Sequence, residues 1–310
     1  MKKKSIKKLF KLALLIIIGG FLYNIVYFDI PLEDIKAKYT NNASKFIVID
    51  STNVHYRDEG KGIPIVLIHG TAASLHTWDS WTQELKKNYR VIRMDLPAFG
   101  LTGPNTTHDY SMKSYTSFID QFLNELDIDS LYLAGNSLGG NIAWNYAADY
   151  PNKVKKLILI DPSGYPFKGS MPFLFNLAKT PIINQLIKYI TPKTLIKKNL
   201  KQVYFNDTKI TDELVTRYHE LTLREGNRQA FINRVKAMNY NNSEKLKNIT
   251  ASTLILWGEN DVWIPKSFGE KFHEKIHNSK LVILPNTGHA PMEENPILSL
   301  KPTLNFLNKN

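Results

Sequence analysis

The run Gly135-Asn136-Ser137-Leu138-Gly139-Gly140 constrains this chain more than any other stretch. Before it, Leu131-Tyr132-Leu133-Ala134 has the length and composition of a buried strand. After it, residues 141–150 have the pattern of a helix that stops at Pro151. A serine placed where a strand hands over directly to a helix must sit on a tight, strained turn, and such a turn lifts the hydroxyl above the edge of a sheet. Gly135 and Gly139, two before and two after the serine, leave room for neighbouring backbone to pass.

The same alternation recurs along the chain. Apolar runs at 65–68, 89–93, 157–160, 253–257 and 280–284 read as further strands, and 74–87, 112–126, 139–150, 265–276 and 296–307 read as helices. Strands alternating with helices predict an α/β architecture, a mostly parallel sheet covered on both faces. With 310 residues, 43% of them hydrophobic, the chain is long enough to bury a large core. The alternation breaks once. Between Asp161 and Thr253 the runs 171–190, 192–204 and 212–238 are helix-like and no strand pattern appears.

A serine hydroxyl is a poor nucleophile near neutral pH and needs a base, most often a histidine oriented by a buried carboxylate. Of the eight histidines, His289 follows the strand-like 280–284 through Pro285-Asn286-Thr287-Gly288, so it lies on a loop that reaches over a sheet edge. The strand-like 253–257 ends in Gly258-Glu259-Asn260-Asp261, which makes Asp261 the natural orienting acid. Asp161, at the end of 157–160, is the competing acid. The strand at 65–68 runs into His69-Gly70-Thr71, where a main-chain N–H can point at a developing oxyanion; the expected donors are the N–H groups of Thr71 and Leu138. His69 and Asp95 are expected to anchor loops, and His55, His76, His108, His219, His273 and His277 to be surface or packing residues. A histidine base must be neutral to act, so activity is expected to rise with pH through about 6 to 7.

The chain order Ser137, Asp261, His289, the His-Gly turn and the turn Asp95-Leu96-Pro97-Ala98-Phe99-Gly100 together resemble the α/β-hydrolase superfamily of serine esterases, lipases and relatives, from about residue 45 to 308. The resemblance implies an α/β-hydrolase fold: a mostly parallel eight-stranded sheet flanked by helices, with a helical cap inserted after strand 6. It divides the chain into a core of 45–162 and 251–310 and a cap of 163–250. Phe173, Leu174, Phe175, Leu177 and Ile182 of the cap are candidates to line an acyl pocket or to pack within the cap. The implied activity is carboxylic ester hydrolysis through an acyl-enzyme, on a small-molecule ester or lipid.

Carbon–carbon bond hydrolases of ring-cleavage products share a similar serine turn. They commonly carry glycine and proline after the His-Gly turn and tryptophan after the catalytic histidine. This chain has Thr71-Ala72-Ala73-Ser74 and Ala290-Pro291 instead. Acyl transfer on the same fold is a further alternative, and a non-catalytic, membrane-tethered binding protein is an alternative of another class. No clustered Cys/His/Asp spacing points to a metal and no glycine-rich phosphate loop to a nucleotide, so no metal and no cofactor is expected.

Residues 1–28 form the second signal. A lysine-rich start precedes residues 9–28, whose main polar interruptions are Lys11 and Asn24. Twenty helical residues span about 30 Å, enough to cross a bilayer. A cleaved signal would have a shorter apolar core and a small-residue cleavage site. The expectation is therefore a single-pass anchor at 1–28 with its lysines in the cytoplasm, a linker at 29–44 and the catalytic domain outside; secretion after cleavage is the alternative. Residues 1–28 contribute six lysines and no acids, and 163–250 contribute eleven lysines, four arginines and six acids, so these two regions exceed the whole net charge of +12. No nucleic-acid recognition module accompanies that charge, and no nucleic-acid partner is expected.

Overall fold

The computed structural model describes residues 7–14, 25–166, 172–240 and 242–308. Eight strands form one sheet: β1 Ser44–Ile49, β2 Thr52–Glu59, β3 Ile63–Ile68, β4 Tyr89–Met94, β5 Leu131–Asn136, β6 Val154–Ile160, β7 Ser252–Gly258 and β8 Ser279–Leu284. Their order is β1-β2-β4-β3-β5-β6-β7-β8. β2 is antiparallel to both β1 and β4, and every other pair is parallel. This is the α/β-hydrolase arrangement expected from the sequence.

The two-residue period of the strands sorts the core into two layers. Val66 and Ile68 of β3, Leu131 and Leu133 of β5 and Ile255 and Trp257 of β7 face helices α3 Met112–Glu125 and α4 Leu138–Asp149 and the later helix Ser267–Lys275. Ile65 and Leu67, Ala134, and Leu254 and Leu256 face the opposite way. There they meet Trp78 of a 3₁₀ turn at Leu75–Trp78, Trp81 and Leu85 of α2 Asp79–Leu85, and the C-terminal helix Pro296–Leu307. Strands buried on both faces read as continuous apolar runs, which is why β3 to β7 are visible in the sequence, and the edge strand β8 keeps such a run at 281–284. In the β1–β2 hairpin only β1 has such a run, at 46–49. β2 carries His55, Arg57, Asp58 and Glu59, and its turn places Asp50 and Ser51 at φ 44° and 60°.

Between β6 and β7 the chain runs through α5 Phe173–Lys179, α6 Ile183–Leu186, α7 Lys193–Val203, α8 Asp212–Leu223 and α9 Asn227–Lys236. Two expected long helices are broken. The run 171–190, whose first residue lies outside the described residues, divides at Thr180-Pro181-Ile182, where Pro181 cannot continue the ladder and Ile182 takes φ 67°. The run 212–238 divides at Arg224-Glu225-Gly226, with Gly226 in the left-handed region at φ 84°. The 74–87 segment likewise splits into the 3₁₀ turn and α2.

Half of the expected membrane span, residues 15–24, lies outside the described residues. Among the described residues no helix is long and apolar enough to cross a membrane. The segment expected as a linker holds α1 Leu32–Tyr39, with Ile35 and Tyr39 buried. It is tied to the helical insertion by Asp29–Arg228 at 2.6 Å and by the Ile30 N–H, which donates to the Leu223 carbonyl at 2.7 Å.

Candidate active site

Ser137 ends β5 and opens α4 with φ 54° and ψ −111°, a conformation that a side-chain-bearing residue holds only when its surroundings enforce it. They do. Its N–H donates to Ile160 O at 3.0 Å, while its carbonyl accepts from Asn141 at 2.9 Å and Ser163 at 3.1 Å. A Cβ on Gly139 would lie 2.1 Å from Ile68 O, and one on Gly135 would lie 2.2 Å from Gly139 O. The two glycines are therefore steric requirements of the turn.

His289 and Asp261 come to the same sheet edge from the loops after β8 and β7. The Nδ1–H of His289 donates to Asp261 Oδ2 at 2.6 Å. Asp261 Oδ1 accepts the N–H groups of Trp263 at 2.7 Å and Ile264 at 3.1 Å, so the carboxylate is oriented before it meets the ring. His289 Nε2 is buried and, among the described residues, without a hydrogen-bond partner, in a cavity that Ser137 also lines. That nitrogen is free to accept a proton.

Asp161 is fully buried at the end of β6, where its Oδ1 accepts the Gly258 N–H at 2.8 Å. Burial first, then the charge of Asp261, push its pKa well above the usual carboxylate range. Asp261 is the member of this pair that holds the imidazole. Ligand atoms of Asp161, Asp261 and His289 lie within 4.8 Å of one another, but the His289–Asp261 bond and the Gly258 amide already occupy most of them.

The amides of Thr71 and Leu138 border the same cavity, and neither donates to a turn or loop carbonyl among the described residues. Leu138 is the first residue of α4, where a helix leaves its N–H groups unmatched. His69 holds the turn beneath: its ring bonds Gly70 O at 2.7 Å and accepts from the Leu96 N–H at 3.0 Å. Burial lowers its pKa and keeps it neutral, consistent with an acceptor nitrogen. Asp95 accepts from His55 at 2.8 Å, Leu75 at 2.8 Å and Leu101 at 2.9 Å, clamping three loops. Burial opposes its ionisation, but the bond and charge of His55, with His69 and His76, outweigh that and lower its pKa. His55, His76 and His219 are buried and hydrogen-bonded.

Several contributors carry no sequence motif. Asn136 Nδ2 donates to Ile160 O at 3.1 Å and His289 O at 2.9 Å, tying the serine turn to the histidine loop. Glu294 accepts from Gly288 at 2.7 Å and from Asn206 at 2.8 Å, and the His289 N–H donates to Val203 O at 2.7 Å, so the insertion braces the same loop. Only the position of Asn136 inside the opening motif hints at its role.

The cavity above Ser137 measures about 250 Å³; its other walls include Phe175, Arg234, Met238, Tyr240, Trp263 and Phe268. Of the five apolar candidates, Phe175 lines it and Leu174 lines a smaller apolar space of about 60 Å³ with Ala98, Phe99, Ile187, Ile196, Leu221 and Phe231. A gap of about 30 Å³, bordered by Ser137, His289, Ala72, Ala73 and Asn199, lies between the two. Phe173 and Ile182 are exposed and Leu177 is half-buried.

Residues 63–201 match the family described as the alpha/beta hydrolase fold. The uncharacterized hydrolase YugF of Bacillus subtilis is 28% identical, covering 84% of this chain and 96% of that protein. A 2-hydroxy-6-oxo-6-phenylhexa-2,4-dienoate hydrolase of Burkholderia cepacia is 28% identical, covering 86% and 97%. Among solved structures, the meta-cleavage product hydrolase of Pseudomonas fluorescens IP01 superposes with a TM-score of 0.76 at 25% identity, covering 85% of this chain and 97% of that one. Sheet order, family match and these relatives agree on one architecture: the chain has the α/β-hydrolase fold, and the relatives named here are hydrolases.

Proposed function

We propose that this chain is a serine hydrolase of carboxylic esters that works through an acyl-enzyme on Ser137. The observation that carries the reading is the buried, unpartnered Nε2 of His289 in one cavity with Ser137, its opposite nitrogen held by Asp261. His289 takes the Ser137 proton as the hydroxyl attacks the ester carbonyl, and the Thr71 and Leu138 N–H groups receive the oxyanion. The protonated ring then gives its proton to the leaving alkoxide. Water repeats the sequence on the acyl-enzyme, releasing the acid. The helices of 163–250 act as a cap whose apolar spaces on either side of Ser137 separate the acyl and alcohol portions.

A second reading, hydrolysis of a carbon–carbon bond in a ring-cleavage product, is favoured by the names of the relatives. The turn Thr71-Ala72-Ala73 and the Ala290-Pro291 pair depart from that group. A panel of p-nitrophenyl esters of increasing acyl length, assayed beside a 2-hydroxy-6-oxo-dienoate, separates the two. Ester turnover with labelling of Ser137 by a fluorophosphonate is expected; faster turnover of the dienoate would transfer the assignment to the second reading, and no labelling would sink both.

Residues 1–28 are read as a membrane anchor, with the catalytic domain outside the cytoplasm. Support comes from the lysine-flanked apolar run and from the exit of the chain: the Tyr27 N–H donates to Tyr189 O at 2.7 Å, beside the exposed Ile182, Leu186 and Tyr189. Exposed apolar groups among lysines suit an interface with anionic lipid. The full chain is expected to stay with membranes through a carbonate wash; release into the supernatant would count against an embedded segment.

A further inference from the structure

Arg234, on α9, has 4% of its surface exposed and lines the cavity that holds Ser137 and His289. A guanidinium remains charged at any pH a protein survives, so burying one without a counter-ion is costly. The other buried arginines each have one. Arg57 faces Asp79, Arg93 faces Asp79 and Glu59, and Arg228 faces Asp29. Among the described residues Arg234 has no carboxylate in ion-pair contact, and its Nε has no hydrogen-bond partner. Its charge lies 5.8 Å from the centre of the Tyr115 ring, a contact that stabilises a cation without neutralising it. Among the described residues the cavity walls include a second cation, Lys179, and no acidic residue.

We infer that Arg234 is an anion-recognition residue: the substrate carries a carboxylate or phosphate, and pairing it with this guanidinium sets the reacting carbonyl over Ser137. The inference rests on the reading of Ser137 as nucleophile. Tyr240, which lines the same cavity, offers a hydroxyl donor to the remaining anion oxygens. Arg217 is not available for this role, because Glu293 accepts from its guanidinium and also from the Tyr218 hydroxyl at 2.7 Å.

The test compares three esters on the full-length protein: neutral p-nitrophenyl hexanoate, mono-p-nitrophenyl adipate, and a short-chain acyl-glycerol phosphate. Wild type is expected to favour one of the anionic esters over its neutral counterpart by 10- to 100-fold in kcat/KM, the range of a charge-assisted hydrogen bond. Preference for adipate identifies a carboxylate substrate, and preference for the phosphate identifies a phosphorylated one. Arg234→Met should abolish the preference through KM and leave the neutral ester within about threefold, whereas Arg234→Lys should retain part of it. Wild type that labels at Ser137 but shows no preference for either anion overturns the inference and leaves the esterase reading standing. So does an Arg234→Met protein that loses all three substrates alike. Absence of labelling and of turnover of every ester would instead refute the reading beneath it. The wild-type comparison needs no variant, so a poorly folding Arg234→Met does not protect the inference.

Discussion

The serine turn between β5 and α4 and the helical insertion between β6 and β7 face each other across one cavity, yet they are built on different principles. At the turn, backbone does the work: Ser137 is held at φ 54° by three main-chain bonds, and Gly135 and Gly139 are small because carbonyl oxygens occupy the space beside them. In the insertion, side chains do it. Phe175 and Arg234 reach the cavity from short helices broken by Pro181 and Gly226, and Met238 and Tyr240 from the segment after α9. The function we propose therefore puts reactivity where substitution is sterically forbidden and selectivity where it is merely chemical. Changes at the turn should abolish turnover of every substrate, and changes in the insertion should reorder substrates.

The largest effect is expected at the turn. Ser137→Ala should lower kcat by about 10⁴-fold or more for all esters and remove fluorophosphonate labelling. A labelled, active variant would dissolve the distinction between the two regions. Next comes the acid pair. Asp261→Asn should cost about 10³- to 10⁴-fold in kcat, because the imidazole loses the partner that fixes its tautomer. Asp161→Asn should stay within about tenfold of wild type, since burial and Asp261 already keep Asp161 in its uncharged form. Steady-state kinetics giving the reverse order would reassign the acid.

Gly139→Ala tests the steric half of the comparison. Its new methyl would sit 2.1 Å from Ile68 O, and a loss of about 3 kcal/mol or more of stability is expected by denaturant unfolding. Phe175→Ala should act in the other manner. Phe175 packs on Phe231 and Trp263 with centroids 5.8 Å apart in each case, so its removal should enlarge the cavity and shift acyl-length preference by several-fold while fluorophosphonate labelling persists.

The smallest expected effect lies outside both regions. Burial pushes His76 down to about 4, so the folded protein resists a proton that the unfolded chain binds near 6.5. Unfolded chains then bind more protons between those values, and stability falls as pH drops from about 6.5 towards 4. His76→Asn should flatten that part of a Tm-against-pH curve; an unchanged slope would locate the acid sensitivity elsewhere.

What was legible in the sequence follows from the same distinction. The serine turn is local: strand, small residues and helix lie within 20 residues, so Ser137 and the Leu138 N–H could be named from order alone. His289 and Asp261 were legible because each follows an apolar strand, β7 buried along nearly its whole length and β8 carrying a continuous run, 281–284, at the sheet edge. The β1–β2 hairpin was not, since its polar residues His55 and Arg57 find partners in Asp95 and Asp79, contributed by distant segments. Glu294 and Arg234, the latter without a carboxylate partner among the described residues, were invisible for the same reason, and Asn136 was visible only as part of the motif. Their significance lies in contacts made, or missing, with distant segments, as Asn136 makes with His289 and Glu294 with Asn206.

Sequence alone therefore determined the class of fold, the strand-borne order of serine, acid and base, and the steric need for small residues beside the serine, because periodicity and local backbone geometry encode each of these. Tertiary structure decided which carboxylate holds His289, where the insertion's helices break, and which cation is left without a counter-ion in the cavity. Those outcomes depend on desolvation and on charges brought together from remote parts of the chain, and neither quantity exists until the chain is packed.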